Sequence, residues 1–181
     1  VADLEKQGKF GGSLELIETK TVSSVTAVYF TDLKDFDVHL VTYHNIGSSS
    51  TTELQIVLSN DGGSTFESSN YQNALQYMNA DGTFAEVKST SASALRLGNR
   101  VGNNRPANGY AYLYNLLDSS KASFCTAHSV SRDTNTGANV RVQFGGSVYT
   151  QTETINAIRV YIVAGAINDT GYINLYGVKE I

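Results

Sequence analysis

Apolar and polar residues alternate along short segments of this 181-residue chain, and this period of two constrains the fold more than any other feature. The clearest examples lie at the end, in residues 155–162, where Ile158, Val160 and Ile162 alternate with polar neighbours, and in residues 172–176. A strand with this pattern buries one face and exposes the other. We therefore expect the final segment to be a strand inside a sheet, held by its neighbours.

Similar segments follow one another along most of the chain, separated by clusters of Gly, Ser, Asn and Asp. Besides the two at the end, they cover residues 14–20, 25–30, 36–43, 53–58, 94–97, 110–114, 123–127 and 140–144. Residues 70–78 fit a helical turn or a strand equally well. Many short strands without an intervening helical period predict an all-β protein, built as a sandwich, a jelly roll or a barrel.

The length suits one domain, and a chain of this size buries a core without a disulfide or a structural metal. The beginning differs from the rest, because a short helix-compatible stretch leads into the glycine-containing residues 8–12. Such a stretch is too short for a stable isolated helix. We expect a sandwich domain at 13–181, preceded at 1–12 by an N-terminal arm or linker that is ordered against a partner or frayed.

Charged residues make up only 17% of the chain, and Ser, Thr, Asn and Gly take their place. Such a surface suits a protein packed among neighbours or one that hydrogen-bonds neutral ligands. The net charge of −4 argues against nucleic acid as a partner, because binding phosphates needs a basic surface. No apolar run approaches a membrane span, so we expect no membrane insertion. The single Cys125 excludes an internal disulfide and suggests a small buried side chain.

Residues 59–66, Ser-Asn-Asp-Gly-Gly-Ser-Thr-Phe, match the Asp-box pattern Ser-x-Asp-x-Gly-x-Thr-Phe. Asp61 is expected to cap the backbone of a tight turn, with glycines at positive φ and Phe66 packed beneath. Propeller enzymes repeat this motif, but it occurs once here. We therefore interpret it as a stabilised hairpin turn.

The sequence offers weak candidates for metal binding or catalysis. Three aspartates within residues 32–37 resemble a calcium loop, but Lys34 lies among them and no closing glutamate follows, so a solvated turn is favoured. His39 and His44 have opposite parity on one strand, which is poor zinc-ligand spacing. No signature of a catalytic Ser or Cys is present. We expect no catalytic residue, no metal site and no cofactor.

Eleven tyrosines and no tryptophan occur in the chain. Three of them share one face of a predicted strand at 110–114, and Tyr172 and Tyr176 share a face of another. Aligned tyrosines can stack on sugar rings or form subunit contacts, and they can also line a core or pair across strands. A polar loop predicted at 98–106 is expected at one end of the sandwich. The candidate surface or ligand contacts are Tyr110, Tyr112, Tyr114, Asn103, Asn104 and Arg105.

A series of segments resembles a known group of proteins in its order and spacing. It begins with Leu-Ile-Glu-Thr-Lys-Thr-Val-Ser-Ser at 16–24 and Phe-Thr-Asp-Leu at 30–33, and it ends with Gly-Tyr-Ile-Asn-Leu-Tyr-Gly-Val-Lys at 171–179. Between them come the segments 36–40, 59–66 and 155–159. The series, which covers roughly residues 13–180, resembles the jelly-roll virion structural proteins of tailed, especially marine, bacteriophages.

The resemblance implies an antiparallel jelly-roll sandwich carried on the virion as a head decoration, fibre or tail component, without catalytic residues. Its partners would be other virion proteins, including further copies of itself as a trimer or as many copies on a shell. The closing Leu175-Tyr176-Gly177 also resembles galactose-binding-like sandwiches. The alternative is therefore a carbohydrate-binding or host-receptor-binding module for a host surface polysaccharide, with specificity expected within residues 70–135. A hydrolase, the third alternative, would need converging carboxylates in a polar pocket.

Overall fold

The computed structural model describes residues 13–102, 106–132, 140–167 and 170–179, without the side chains of residues 99 and 100. The predicted arm at 1–12 and the candidate contacts Asn103, Asn104 and Arg105 lie outside the described residues. Within these ranges no helix is long and apolar enough to cross a membrane. The described strands are β1 (Leu14–Val22), β2 (Ala27–Phe30), β3 (Val38–Ile46), β4 (Thr52–Ser59), β5 (Tyr71–Asn79), β6 (Phe84–Ala92), β7 (Leu95–Val101), β8 (Ala107–Tyr114), β9 (Ser123–Arg132), β10 (Val140–Tyr149), β11 (Ala157–Ile162) and β12 (Gly171–Val178).

The strands form two antiparallel sheets that make one sandwich. The large sheet has the order β1-β12-β3-β8-β9-β10-β5-β6, and the small sheet has the order β2-β11-β4-β7. When the hairpins β5–β6 and β9–β10 are set aside, the remaining eight strands are distributed between the sheets as in a jelly roll. Both hairpins extend the large sheet at one end. The predicted all-β sandwich of the jelly-roll type is therefore confirmed.

The alternation seen in the sequence corresponds to the two faces of the strands. β9 alternates between buried and exposed residues along its whole length. The last strand, β12, pairs with β1 on one side and β3 on the other, as predicted for a terminal segment inside a sheet. β11 belongs to the small sheet, so the two terminal strands lie in different layers.

The hydrophobic core lies between the two sheets. The large sheet contributes Val41, Leu113 and Cys125, and the small sheet contributes Ile56 and Val160, all of them buried. Burial raises the pKa of the Cys125 thiol to about 12, so this thiol stays protonated and acts as a small core side chain, as predicted.

Two local predictions about strands and loops need refinement. The ambiguous segment 70–78 is a strand, β5, and it forms a hairpin with β6, which the sequence analysis did not identify. The loop predicted at 98–106 is shorter, because residues up to Val101 continue β7 and pair with β4. Pairing with a buried central strand outweighs the turn propensity of the Gly and Asn residues in this segment.

The Asp-box turn has the predicted local chemistry but a different position in the fold. The Asp61 carboxylate accepts hydrogen bonds from the Thr65 backbone N–H at 2.9 Å and from the Thr65 and Ser59 hydroxyls at 2.7 and 2.8 Å. The Thr65 backbone bond, followed by the two hydroxyl bonds, lowers the pKa of Asp61 to about 2. The turn leads from β4 of the small sheet towards β5 of the large sheet, so it crosses between layers and is not a hairpin turn.

Candidate functional site

The candidate site lies on the outer face of the large sheet, the side turned away from the small sheet. Paired residues of neighbouring antiparallel strands project from the same face. One row of paired residues crosses all eight strands and consists of Leu16, Tyr176, Leu40, Tyr112, Thr126, Gly146, Ala74 and Lys88. This register shows which side chains are neighbours across the face.

Large hydrophobic side chains are concentrated on this outer face. Among the described residues, thirteen large hydrophobic side chains are exposed, and only Val25, Tyr29 and Val163 lie elsewhere. The ten on the outer face are Leu14, Leu16, Met78, Phe84, Tyr110, Phe124, Val130, Val140, Phe144 and Tyr172. An exposed apolar patch of this extent is typical of an interaction surface.

Five rings on β8, β9 and β10 contact one another in a line, which we call the aromatic ribbon: Tyr114, Tyr112, Tyr110, His128 and Phe144. The Tyr112 and Tyr114 rings stack at 6.4 Å between centroids, and Tyr110 meets Tyr112 edge-on at 6.0 Å. Tyr110 also meets His128 at 5.8 Å, and His128 meets Phe144 at 6.4 Å. These contacts hold the rings in place on the surface.

The three predicted tyrosine contacts are therefore on one face, and that face is the solvent-facing one. Tyr110 is 43% exposed, and Tyr112 and Tyr114 are half-buried between their neighbours. The Tyr114 and Thr126 hydroxyls lie 3.3 Å apart, so the end of the ribbon is hydrogen-bonded to β9. Their role as ligand contacts stays a prediction.

An open groove of about 850 Å³ lies beside the ribbon. Small residues from three adjacent strands, Thr126, Gly146 and Ala74, line it along the row described above. Phe124 and Val148, which pair with each other in the next row, line it on one side. A second depression of about 330 Å³ shares Ala74 with the groove. The result is a concave apolar surface.

Two consecutive glycines in the middle of β10 line these hollows, Gly146 in the groove and Gly145 in the smaller depression. Gly145 has a φ of +148°, and a Cβ atom there would lie 2.5 Å from the Ala74 carbonyl oxygen and 2.6 Å from the Leu75 Cα atom. Glycine is therefore required at this position by close backbone approach. Gly146, the next residue, leaves the outer face without a side chain between Thr126 and Ala74.

The groove also has polar residues in its lining. Gln72 and Thr126 line it, and Lys88 at its end forms an ion pair with Glu86. Across the described ranges, no three His, Cys, Asp or Glu side chains are grouped so that they could hold a metal ion.

In the acidic turn that was weighed as a calcium site, Asp32 pairs with Lys34, and this contact lowers the pKa of the Asp32 carboxyl.

Sequence analysis found only part of this site. Phe124, Thr126 and His128 alternate in β9 in the same way as the tyrosines of β8, so the signal for an outward-facing row was present. The glycine pair of β10 gave no signal, because its effect depends on which strands lie beside it. Tyr172 and Tyr176, predicted as a separate pair, lie on the same outer face as the ribbon.

Comparisons with known proteins add little to this description. The chain matches no protein-family model and no curated protein. Among solved structures it has a similarity to the CBM2 module of the evolved Dit of Lactobacillus casei BL23 phage J-1, with 8% sequence identity and a TM-score of 0.26. The match covers 94% of this chain and 80% of that one. A TM-score this low carries no conclusion about fold or function.

Proposed function

We propose that the protein is a non-catalytic structural component of the surface of a tailed-phage virion, and that its outer face makes contacts with neighbouring virion proteins. The observation that carries this proposal is the concentration of exposed large hydrophobic side chains on one sheet face. The ordered resemblance of segments along the sequence supports the phage assignment. The jelly-roll order of the two sheets agrees with it.

The aromatic ribbon is well suited to such contacts. Tyrosine is enriched at protein interfaces because it buries a large ring and keeps a hydroxyl for hydrogen bonding. Its rings are already held by their neighbours at 5.8–6.4 Å, so little side-chain entropy is lost on association. Neighbouring copies of the same chain, as a trimer or as many copies on a shell, would bury this face in a head decoration, fibre or tail component.

Incorporation into phage particles tests this proposal. A triple variant, Tyr110→Ser, Tyr112→Ser and Tyr114→Ser, should fold but should be absent or strongly depleted from purified particles measured by quantitative mass spectrometry. The matched control is Tyr29→Ser, because Tyr29 is 47% exposed and lies on the small sheet. Normal incorporation of the triple variant would refute the assembly role of the ribbon.

The groove favours a second candidate function, the binding of a host surface polysaccharide. Ligand sites are typically concave and mostly apolar with a few polar groups, and the groove with Phe124, Gln72 and Thr126 has this character. Binding of the purified protein to host polysaccharide, measured with variants of two residues that line the groove, Phe124→Ala and Gln72→Ala, tests it. Loss of binding in both variants supports the function, and unchanged binding contradicts it.

A further inference from the structure

The large sheet ends in an edge strand, β6, which pairs with β5 on one side. No strand of the described ranges pairs with its other side, so alternate backbone N–H and C=O groups of β6 point away from the sheet. The pairing with β5 runs without interruption from Phe84 to Ser89, and its register shifts only between Ser89 and Ala92. An edge of this kind is a ready template for a further strand.

The other edge strands of the two described sheets are less suited to this role. β2 has only four residues, and the register between β7 and β4 shifts at two places. β1 has a bulge between Leu16 and Glu18. Short strands and bulges are common means by which natural sheets block edge-to-edge pairing. β6 is therefore the edge best able to accept a partner strand.

The residues of β6 specify which strand fits this edge. Glu86 and Lys88 lie on the outer face, form an ion pair with each other and are exposed. Val87 between them points to the inner face, because it pairs with the buried Leu75. The uninterrupted segment 85–89 thus carries opposite charges placed symmetrically about one β-branched residue.

We propose that β6 pairs antiparallel with β6 of a second copy, with a two-fold axis through Val87. In this register Glu86 of each copy lies opposite the partner's Lys88, so both cross-strand pairs join unlike charges. Val87 lies opposite the partner's Val87, and β-branched residues pack well in such pairs. The contact uses the edge of the sheet and not its outer face, so it does not rest on the proposed function.

The charges select this register over its neighbours. Moving the axis by one residue puts Glu86 opposite the partner's Glu86, or Lys88 opposite the partner's Lys88, and like charges directly opposite each other are destabilising. An axis between two residues would pair outer-face residues with inner-face residues. The register centred on Val87 keeps both faces and joins unlike charges.

The dimer joins the two large sheets into one continuous sheet. Because the two-fold axis is normal to the sheet, the outer faces of both copies lie on the same side. Lys88 and Ser89 also line the groove, so the two grooves come to lie next to each other across the axis.

Sedimentation equilibrium of the full chain measures the dissociation constant of this dimer. The first two variants are Glu86→Lys and Lys88→Glu, each of which places like charges opposite each other in both cross-strand pairs. The third variant combines them, so that unlike charges face each other again. The matched control is Glu18→Lys in β1, at the opposite edge of the same sheet, where Glu18 likewise forms an ion pair with a lysine two residues on, Lys20.

The wild type and the combined variant should dimerise with similar affinity, and each single variant should dimerise at least about tenfold more weakly. An equimolar mixture of the two single variants should recover the dimer, since one chain then carries two lysines and the other two glutamates at the paired positions. Glu18→Lys should dimerise like the wild type.

A wild type that stays monomeric up to about 1 mM would overturn the proposal, and so would unchanged affinity in both single variants. A dimer weakened only in Glu18→Lys would place the contact at β1 and refute the assignment to β6.

Discussion

The two outer faces of the sandwich differ in how their large side chains are covered. On the small sheet, the Arg159 guanidinium lies over the rings of Phe66 at 5.0 Å and Tyr161 at 4.7 Å. Val57, which pairs with Arg159, is only 2% exposed beneath these long side chains. On the large sheet, no comparable layer covers the aromatic ribbon within the described residues, and Phe124 is 47% exposed.

This contrast indicates which face of the protein contacts its partners. Long amphipathic side chains shield apolar surface from water, and Arg159 shields part of the small sheet in this way, while Tyr29 stays 47% exposed. The large sheet leaves its apolar surface uncovered, although its strands are equally well paired. Exposed apolar surface that the chain does not cover is the kind that a partner covers.

The largest expected effect is a loss of stability that distinguishes substitutions on the inner face of β8 from those on its outer face. Leu113 in β8 is fully buried, so Leu113→Ala should lower the free energy of unfolding by roughly 4 kcal/mol. Its neighbour Tyr112 points outward, so Tyr112→Ala should cost less than about 1 kcal/mol. Urea unfolding measures both. Equal losses would mean that the outer face belongs to the core and is not a free contact surface.

The next effect concerns Gly145, where the backbones of β10 and β5 approach closely. Gly145→Ala should destabilise the fold by about 3 kcal/mol, because a side chain at this φ is strained and its Cβ would clash with the β5 backbone. Gly62→Ala is the control, since its φ is +76° but no atom lies within 4 Å of an added Cβ. It should cost only about 1 kcal/mol in thermal unfolding. A smaller loss in Gly145→Ala than in Gly62→Ala would contradict the close approach.

Replacement of Gln143 should have a smaller effect of the opposite sign, because it should raise the stability of the fold. Gln143 in β10 is 1% exposed, and neither atom of its side-chain amide has a hydrogen-bond partner among the described groups. Gln143→Leu removes the cost of this desolvated amide, so it should raise the free energy of unfolding by about 1 kcal/mol. Chemical denaturation measures the change. A clear loss of stability would show that the amide is satisfied.

The smallest expected effect is a pH dependence of the folding stability, which arises from His39 on the inner face of β3. His39 is fully buried, its Nε2–H donates to the Leu33 carbonyl oxygen at 2.7 Å, and burial lowers its pKa below the ordinary 6.5. The unfolded chain therefore binds this proton more readily, so stability is complete above about pH 6.5 and declines as the pH falls below it. The urea midpoint should follow this course, and His39→Gln should weaken it. The same pH dependence in His39→Gln would contradict the assignment.

The elements that follow local rules could be predicted from the sequence. The alternation in β9 and β12 fixes their two faces, and Asp61 with its neighbours specifies a turn whatever strands it joins. What could not be predicted depends on contacts between distant segments. The register that puts Tyr176 and Tyr112 in one row arises because β3 pairs with β12 on one side and with β8 on the other, and these three strands are far apart in the chain.

A polar cavity of about 270 Å³ between the β5–β6 hairpin and β7 was unpredictable for the same reason. Asn73 and Arg96 lie on strands of different sheets, and only the extension of the β5–β6 hairpin past β7 brings them to one cavity. β6 itself was missed because its alternating residues, such as Ala85, Val87 and Ser89, are small or weakly hydrophobic. Its partly covered inner face gives a weaker pattern than that of a core strand.

Surface labelling of the free protein and of intact phage particles tests the central claim most directly. Hydroxyl-radical footprinting reports the solvent accessibility of individual tyrosine and phenylalanine rings. We predict that Tyr110 and Phe124 on the outer face are labelled in the free protein and protected in the particle, while Tyr29 on the small sheet is labelled equally in both. Protection of Tyr29 with Tyr110 and Phe124 still fully labelled would contradict the account.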